Sequence, residues 1–409
     1  MTQLKIIEDS LTGIKYKPGL TFNFTITIPC VEQTEYALLV EHDGKNEANV
    51  NALLRLADEG KAPYSICLGV SPGRLHMKDG SARDMRMNSY DLFDREYGDF
   101  IVWELIPYVT EKYGLKISAS PDKHIVSGGS SGGVSAFVIA WFHSDYFRNV
   151  YMSSPSFLAM GRGNEIPYLI RKYETKPLKI YEESSENEPN EYFGWSKSID
   201  DESREALRFA NYDFKYKYFP NEGHCSRYND KDEAYERMAW LLGGSELKGN
   251  SHRVEKVVPN DSKWTPCESF PKTEAVSAVP SNDGMAIYCG DKNEDIVYMI
   301  PTGNIADTDK KLLHATLHTI PRIEPKGAID MAVDKADRLY VLTSIGIQCV
   351  RSYGLIDVIL ALPDNSEPVA IAVTDALYVK TELGIYRRAL QPVCTEESDI
   401  KRKFTSYYD

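Results

Sequence analysis

The stretch His124–Phe142, HIVSGGSSGGVSAFVIAWF, constrains this chain more than any other. A short apolar run, His124 to Ser127, meets six residues built only of glycine and serine, and these lead directly into Val134, Phe137, Val138 and Trp141 at helical spacing. The pattern predicts a strand, a sharp turn and a helix. A turn this tight forces its central residue into strained backbone geometry, tolerable only where the neighbours lack side chains, and Gly128, Gly129, Gly132 and Gly133 meet that need. The serine between them is pushed out to where a substrate can reach it. G-x-S-x-G occurs in two overlapping frames, Gly128 to Gly132 centred on Ser130 and Gly129 to Gly133 centred on Ser131. The Ser130 frame is preferred, because it puts Gly132 and Gly133 where the new helix packs close to the strand and makes the Ser131 N–H an oxyanion donor. Many chains match a bare G-x-S-x-G by chance, so the strand-before, helix-after context carries the reading, and a base and an acid must follow.

At 409 residues the chain is too long for one ordinary core, and two domains are expected. Apolar residues make up 42% and charged residues 26%, which is the balance of a soluble globular protein. The formal net charge of −13, with no basic cluster, argues against nucleic-acid or anionic-membrane partners and toward a neutral or cationic small molecule. MTQLKIIEDSLTG has no apolar core of signal-peptide length, and nowhere do about 18 uncharged apolar residues run together. With Met1 as the native start, the expected location is the cytoplasm. Seven cysteines, scattered without C-x-x-C spacing, read as reduced thiols rather than a disulfide frame or zinc site.

Residues 1 to 17 carry little pattern. TFNFTITIP and EYALLVEHDG then read as strands, ANVNALLRLADEG as a helix and PYSICLGVSPG as a further short apolar run. Arg83 to Asn88 is mostly polar and is expected to be a loop reaching over an active site. SYDLFDREYGDFIVWELIPYVTEKYGL carries its aromatic and aliphatic residues on one face and stops at Gly114. Beyond the Gly/Ser turn come strands in RNVYMSSPSF and PLKIYEESSENEP, helical SREALRFANY, strand DFKYKYFP, loop NEGHCSRYND and helix DEAYERMAWLLGG. Repeated β-then-α with loops after strands predicts a parallel sheet, whose chemistry lies beyond the carboxyl ends of the strands.

His224 falls in such a loop, straight after a predicted strand, and is the expected general base, since imidazole titrates near neutrality and can take a serine proton. His42, at the end of an earlier strand, is the lesser alternative, and His143 reads as a partly buried helix residue. For the acid that orients the imidazole, the segment after PLKIY offers Glu182, Glu183, Glu186, Glu188 and Glu191.

From about Gly19 to Leu242 the chain resembles the enterochelin-esterase-like branch of the α/β-hydrolases, which also holds acetyl-xylan and feruloyl esterases. The likeness rests on VEHDG, the Tyr-Asp and Glu-aliphatic-aliphatic-Pro steps of SYDLFDREYGDFIVWELIPYVTEKYGL, SGGSSGGVSAF, GNEIPYLIRK and EGHCSRY. The resemblance puts the family nucleophile on Ser130, its histidine on His224, and its acid, from a G-x-x-D-x-N segment matched by Ser185 to Asn190, on Glu188, with Glu186 second. It also implies a second oxyanion N–H from the turn near Gly44 or Lys45. The chain departs from the family at Ser185 and Glu188, where Gly and Asp are usual, at Ser89, where a Glu is usual before Tyr90-Asp91, and at Cys225-Ser226, where the histidine is usually followed by Asn-Gly.

The C-terminal part is of another class. GNSHRVEKVVPNDSKWTPCESF reads as a polar linker. AVSAVPSNDGMAIYCGDKNEDIVYMIP, AIDMAVDKADRLYVLTSIGIQCV and PVAIAVTDALYVKTELGIYRRAL then read as weak repeats of short strands. These resemble the last blades of gluconolactonase- and regucalcin-type propellers. About three blades are present where a closed propeller needs at least about four. The family's metal-binding Asp aligns with Ile329, so this domain is expected to be metal-free and non-catalytic, despite Asp330 one residue on. An incomplete propeller leaves open strand edges, so it is expected to pack on its own esterase-like domain or to pair with a second copy as a homodimer. The expected fold is therefore an α/β-hydrolase domain at 1–245, a mostly parallel sheet with helices on both faces, then a linker at 246–268 and an all-β partial propeller at 269–409. The expected function is a serine carboxylic-ester hydrolase that needs no metal or organic cofactor and acts on an acylated small molecule, a sugar ester or, alternatively, a siderophore ester. A binding protein on a retired hydrolase fold is the alternative of a different class; a second, lactonase activity is disfavoured by Ile329.

Overall fold

The computed structural model describes residues 2–159, 161, 163–189, 196–245, 248–271, 276–302 and 311–391. The chain forms two compact units, Met1–Arg171 with Thr175–Lys248, and Lys172–Glu174 with Gly249–Asp409.

In the first unit the apolar runs become strands β1 (Leu4–Thr12), β2 (Leu20–Pro29), β3 (Ala37–His42), β4 (Ser65–Val70), β5 (Arg74–His76), β6 (Ala82–Asp84), β7 (His124–Gly129), β8 (Asn149–Ser153), β9 (Lys179–Asn187) and β10 (Asp213–Gly223). Among the described residues these make one ten-stranded sheet in the order β10-β9-β8-β7-β3-β4-β2-β5-β6, with β1 also on β2. From β10 to β4 every neighbour is parallel, whereas β1, β2, β5 and β6 pair antiparallel. The sheet is thus mixed rather than mostly parallel, because the short turns between β1 and β2 and between β5 and β6 are too brief for a parallel crossover. Strand β1 escaped the pattern because it pairs only with β2 and none of its residues is fully buried, so its apolar residues do not alternate cleanly. The polar stretch Arg83 to Asn88, expected as a loop, instead ends β6 and enters the short helix α2 (Arg86–Tyr90).

Helices cover both faces. Leu39, Cys67, Ile125, Tyr151 and Tyr181, all on one side of the pleat, pack against α1 (Glu47–Asp58) and the helix Lys231–Leu242. The opposite face, with His42 and Met152, meets α5 (Ser131–Phe142) at Gly132 and Gly133. The long aromatic segment forms α3 (Glu96–Phe100), one π turn (Ile101–Leu105) and α4 (Ile106–Tyr113). The π turn sits where Pro107 has no N–H to give to the preceding turn, and the helix stops at Gly114, which has φ 62.

The second unit holds, among its described residues, three four-stranded antiparallel sheets. They are β12 to β15 (Ala278–Pro280, Ala286–Gly290, Ile296–Pro301, Leu312–Thr316), β16 to β19 (Asp330–Val333, Leu339–Thr343, Gly346–Val350, Ile356–Leu360), and β20 to β22 (Pro368–Val373, Leu377–Thr381, Ile385–Arg388) completed by β11 (Thr265–Pro266). The expected linker is a correction: residues 249–268 belong to this unit. Ser251 caps the helical turn His252–Glu255, and Val254, Val257 and Val258 are buried in the core with Tyr340, Ile371 and Val379. Three apolar residues at helical spacing inside a polar stretch are a weak signal, which is why the segment reads as a connector. Asp330 is fully buried, and its carboxylate accepts from the N–H groups of Val276 (2.7 Å), Met331 (2.8 Å) and Ile371 (2.8 Å), so it is spent on holding three segments together. The last described residue is Gln391, so Cys394 and the rest of the expected C-terminal domain lie outside the described residues.

Candidate active site

Strained backbone gathers at the carboxyl ends of the parallel strands. Asp43 (φ 63) follows β3, Ser130 (φ 56) follows β7, Ser154 (φ 45) follows β8, and Cys225 (φ 54) lies just past β10. Non-glycine residues in such regions cost on the order of 1 kcal/mol each and persist where the surroundings over-determine them. Ser130 is held on both sides: its N–H donates to the Ser153 carbonyl (2.8 Å), and its carbonyl accepts from Gly133 (3.0 Å) and Val134 (3.2 Å) as α5 begins. A Cβ added to Gly128 would stand 2.4 Å from the Gly132 carbonyl carbon, which is the close approach the glycines permit.

The loops after β9 and β10 bring Glu188 and His224 together. Glu188 Oε2 is hydrogen-bonded to His224 Nδ1, while its Oε1 accepts from Ser154 Oγ (2.6 Å) and the Ser185 N–H (3.0 Å). Burial would raise the Glu188 carboxyl, but the hydrogen bonds from His224, Ser154 and Ser185 outweigh it and hold it below its ordinary value. Burial likewise would lower His224, but its contacts with Cys225 and Glu188 raise it well above 6.5. The Ser130 hydroxyl, at the end of β7 with β8 between it and β9, shares a hydrogen bond with Ser156 Oγ (3.0 Å).

The other sequence candidates go elsewhere. Strand β9 runs through Glu182 and Glu183, both buried: Glu182 meets Arg204 (2.8 Å), and Glu183 accepts from Tyr151 OH (2.8 Å) and faces Arg237 (3.4 Å). Glu186 is exposed and accepts from the Asn221 N–H (2.6 Å); Glu191 lies outside the described residues. His42 is buried with Nδ1 against the Ser127 carbonyl (2.7 Å) and Nε2 against Ser135 Oγ (3.3 Å), and burial pushes its pKa down to about 4, so it serves packing. His143 ends α5, buried beside Asp99 (3.2 Å).

Of the expected oxyanion donors, Ser131 opens α5, where an N–H has no partner in its own helix. Gly44 is a correction: its N–H donates to the Val70 carbonyl (3.1 Å), so that single donor is spent. Lys45 follows it, in a turn laid so close on β4 that a Cβ on Gly69 would stand 2.5 Å from the Lys45 nitrogen.

Sequence reasoning missed the segment Ser153–Ser156, although Ser-Ser-Pro-Ser directly after a strand is a visible signal. It also missed the polar cluster under the histidine loop. Arg237 is fully buried and donates to Asn49 Oδ1 (2.9 Å) and to the carbonyls of Arg227 (3.1 Å) and Tyr228 (2.5 Å), while Tyr228 OH reaches Glu41 (2.9 Å). Replacing Arg237 with Met strands the buried Glu183 and these carbonyls, and is expected to cost about 3–5 kcal/mol of stability, read as a lower urea midpoint. A loss below about 1 kcal/mol would show that the cluster is relaxed rather than structural.

Among the described residues no group of three or more His, Cys, Asp or Glu side chains is arranged to hold a metal ion, and no helix is long and apolar enough to cross a membrane. The model of the Esterase family matches residues 20–294. No curated protein matches the chain. Among solved structures, a ferulic acid esterase is 16% identical with a TM-score of 0.45, over 59% of this chain and 99% of that one. The enterobactin esterase FES from Shigella flexneri is 15% identical with a TM-score of 0.43, over 59% of this chain and 60% of that one. The siderophore hydrolase EstB from Aspergillus nidulans is 18% identical with a TM-score of 0.40, over 58% of this chain and 91% of that one.

Proposed function

This chain belongs to the Esterase family and is a carboxylic-ester hydrolase, and we propose that it works through Ser130, His224 and Glu188. Ser130 Oγ attacks the ester carbonyl carbon as His224 takes its proton, with Glu188 holding the other ring nitrogen. The negative charge on the former carbonyl oxygen is met by the N–H groups of Ser131 and Lys45. Collapse expels the alcohol, which leaves with the proton from His224. Water, deprotonated by the same imidazole, then cleaves the acyl-enzyme and frees Ser130. The observation that carries this reading is the hydrogen bond of Glu188 to His224, with Ser130 held at φ 56 at the same end of the sheet, after β7.

The test is a fluorophosphonate, which phosphonylates an activated hydroxyl with loss of fluoride, followed by peptide mass mapping. The label is expected on Ser130. No label on any serine, together with no turnover of p-nitrophenyl acetate, would sink the proposal and favour a binding protein on the same fold. For substrate we propose a neutral acylated sugar: the net charge of −13 repels anions, and we read the three sheets of the second unit as propeller blades of the sugar-lactonase type. Faster release of acetate from acetylated sugars than of monomers from a siderophore trilactone is the expected result.

A further inference from the structure

The proposed machinery sits at the carboxyl ends of several strands, and one short segment touches three parts of it, Ser130, Glu188 and the loop of His224. Ser153–Ser156 runs out from the last residue of β8, which lies between β7, followed by Ser130, and β9, followed by Glu188. The Ser153 carbonyl accepts the Ser130 N–H (2.8 Å) and faces the Cys225 thiol (3.4 Å). Ser156 Oγ meets Ser130 Oγ (3.0 Å). Ser154, buried, lies between the other two: its hydroxyl accepts from the Cys225 N–H (3.1 Å), next to His224, and donates to Glu188 Oε1 (2.6 Å).

The direction of that second bond follows from the first. An amide N–H can only donate, so the Ser154 oxygen accepts there and its single hydrogen is left for the carboxylate. The carboxylate is thereby divided: Oε1 is held by Ser154 and the Ser185 N–H (3.0 Å), and only Oε2 is left for the imidazole. The Ser154 oxygen also fastens the backbone of the histidine loop, by accepting from the Cys225 N–H. Ser154 takes φ 45 for this, anchored by its own N–H to the Glu183 carbonyl (2.7 Å). Strain in a buried residue whose hydroxyl is shared between the Glu188 carboxylate and the His224 loop is what a positioning role requires.

We propose that Ser154 is a positioning residue of the esterase: its hydroxyl fixes the rotation of the Glu188 carboxylate and ties it to the His224 loop, so that acid and base keep one geometry. This rests on the reading of Ser130, His224 and Glu188 given above. The experiment compares wild type with Ser154→Ala and Ser154→Gly, the second because glycine takes positive φ freely and folds even where alanine does not. Turnover of p-nitrophenyl acetate is followed against pH, with fluorophosphonate mapping alongside. Both variants are expected to lose about 10²-fold in kcat with KM little changed, and the acidic limb of the pH profile is expected to fall toward 6.5, the ordinary histidine value, as Glu188 loosens its hold on His224. Loss of kcat or of melting temperature without movement of the limb would mark Ser154 as merely structural and overturn the proposal. So would a folded variant with wild-type kcat, or a limb that moves upward. Fluorophosphonate on Ser130 with indifferent Ser154 variants would defeat this inference alone, whereas a wild-type label on another serine would defeat the triad and this inference with it.

Discussion

Ser130→Ala is expected to lower ester turnover by about 10⁴–10⁶-fold, leaving only what binding and the oxyanion donors contribute. No neighbouring group is set to replace it. Ser156, which shares a hydrogen bond with Ser130, is buried and has its N–H turned to the Ser130 carbonyl (3.4 Å), so it supports the turn from behind. Ser131 is the informative comparison, because Ser131→Ala removes a buried hydroxyl but keeps the main-chain N–H at the head of α5. It is expected to lose far less than Ser130→Ala. The opposite ranking, measured on short-chain p-nitrophenyl esters, would move the nucleophile by one residue. The backbone argues for the first result: the left-handed φ of 56 belongs to Ser130.

Glu188→Gln is expected to cost about 10³–10⁴-fold in kcat and to shift the pH dependence in a defined direction. In the proposed role His224 must be neutral to take a proton. Its pKa is raised above 6.5, burial being outweighed by Cys225 and Glu188, so the protonated ring persists to higher pH and wild-type kcat/KM climbs through a limb above that value. Glutamine removes the charge that favours imidazolium, and the limb moves down. Glu186→Gln is the control, because that carboxylate is bound to the Asn221 N–H (2.6 Å) instead. Equal losses in the two variants, or an unmoved limb in Glu188→Gln, would remove Glu188 from the role.

What the sequence makes legible here is chemistry that needs particular residue types. Glycines around a serine, and a histidine in a loop after a strand, are visible because few other residues serve. Gly114 likewise marks its helix end. The boundary of β9 was not legible. Glu182 and Glu183 look like loop residues, yet they are strand residues whose charges are met by Arg204 and Arg237 from helices later in the chain. A pattern of polarity cannot show a partner more than twenty residues off, and the same blindness turned the buried valines after Ser251 into a linker. The choice of Glu188 as candidate acid came from family likeness, and the residues that hold its carboxylate, Ser154 above all, came from neither.

The completion of the last sheet of the second unit by β11 bears on how this protein is made. Thr265 hydrogen-bonds to Arg387, 122 residues later, and Glu174 pairs with Arg388, 214 residues later. On the ribosome the strands of the esterase sheet have all been synthesised by Gly223, while Glu174 and β11 wait for the last strand to emerge. Loop closure over such separations is slow. The nascent chain therefore passes through a stage in which the sheet of the first unit is complete and the second unit is still open along one edge, and that stage is when this protein most needs protection from its neighbours.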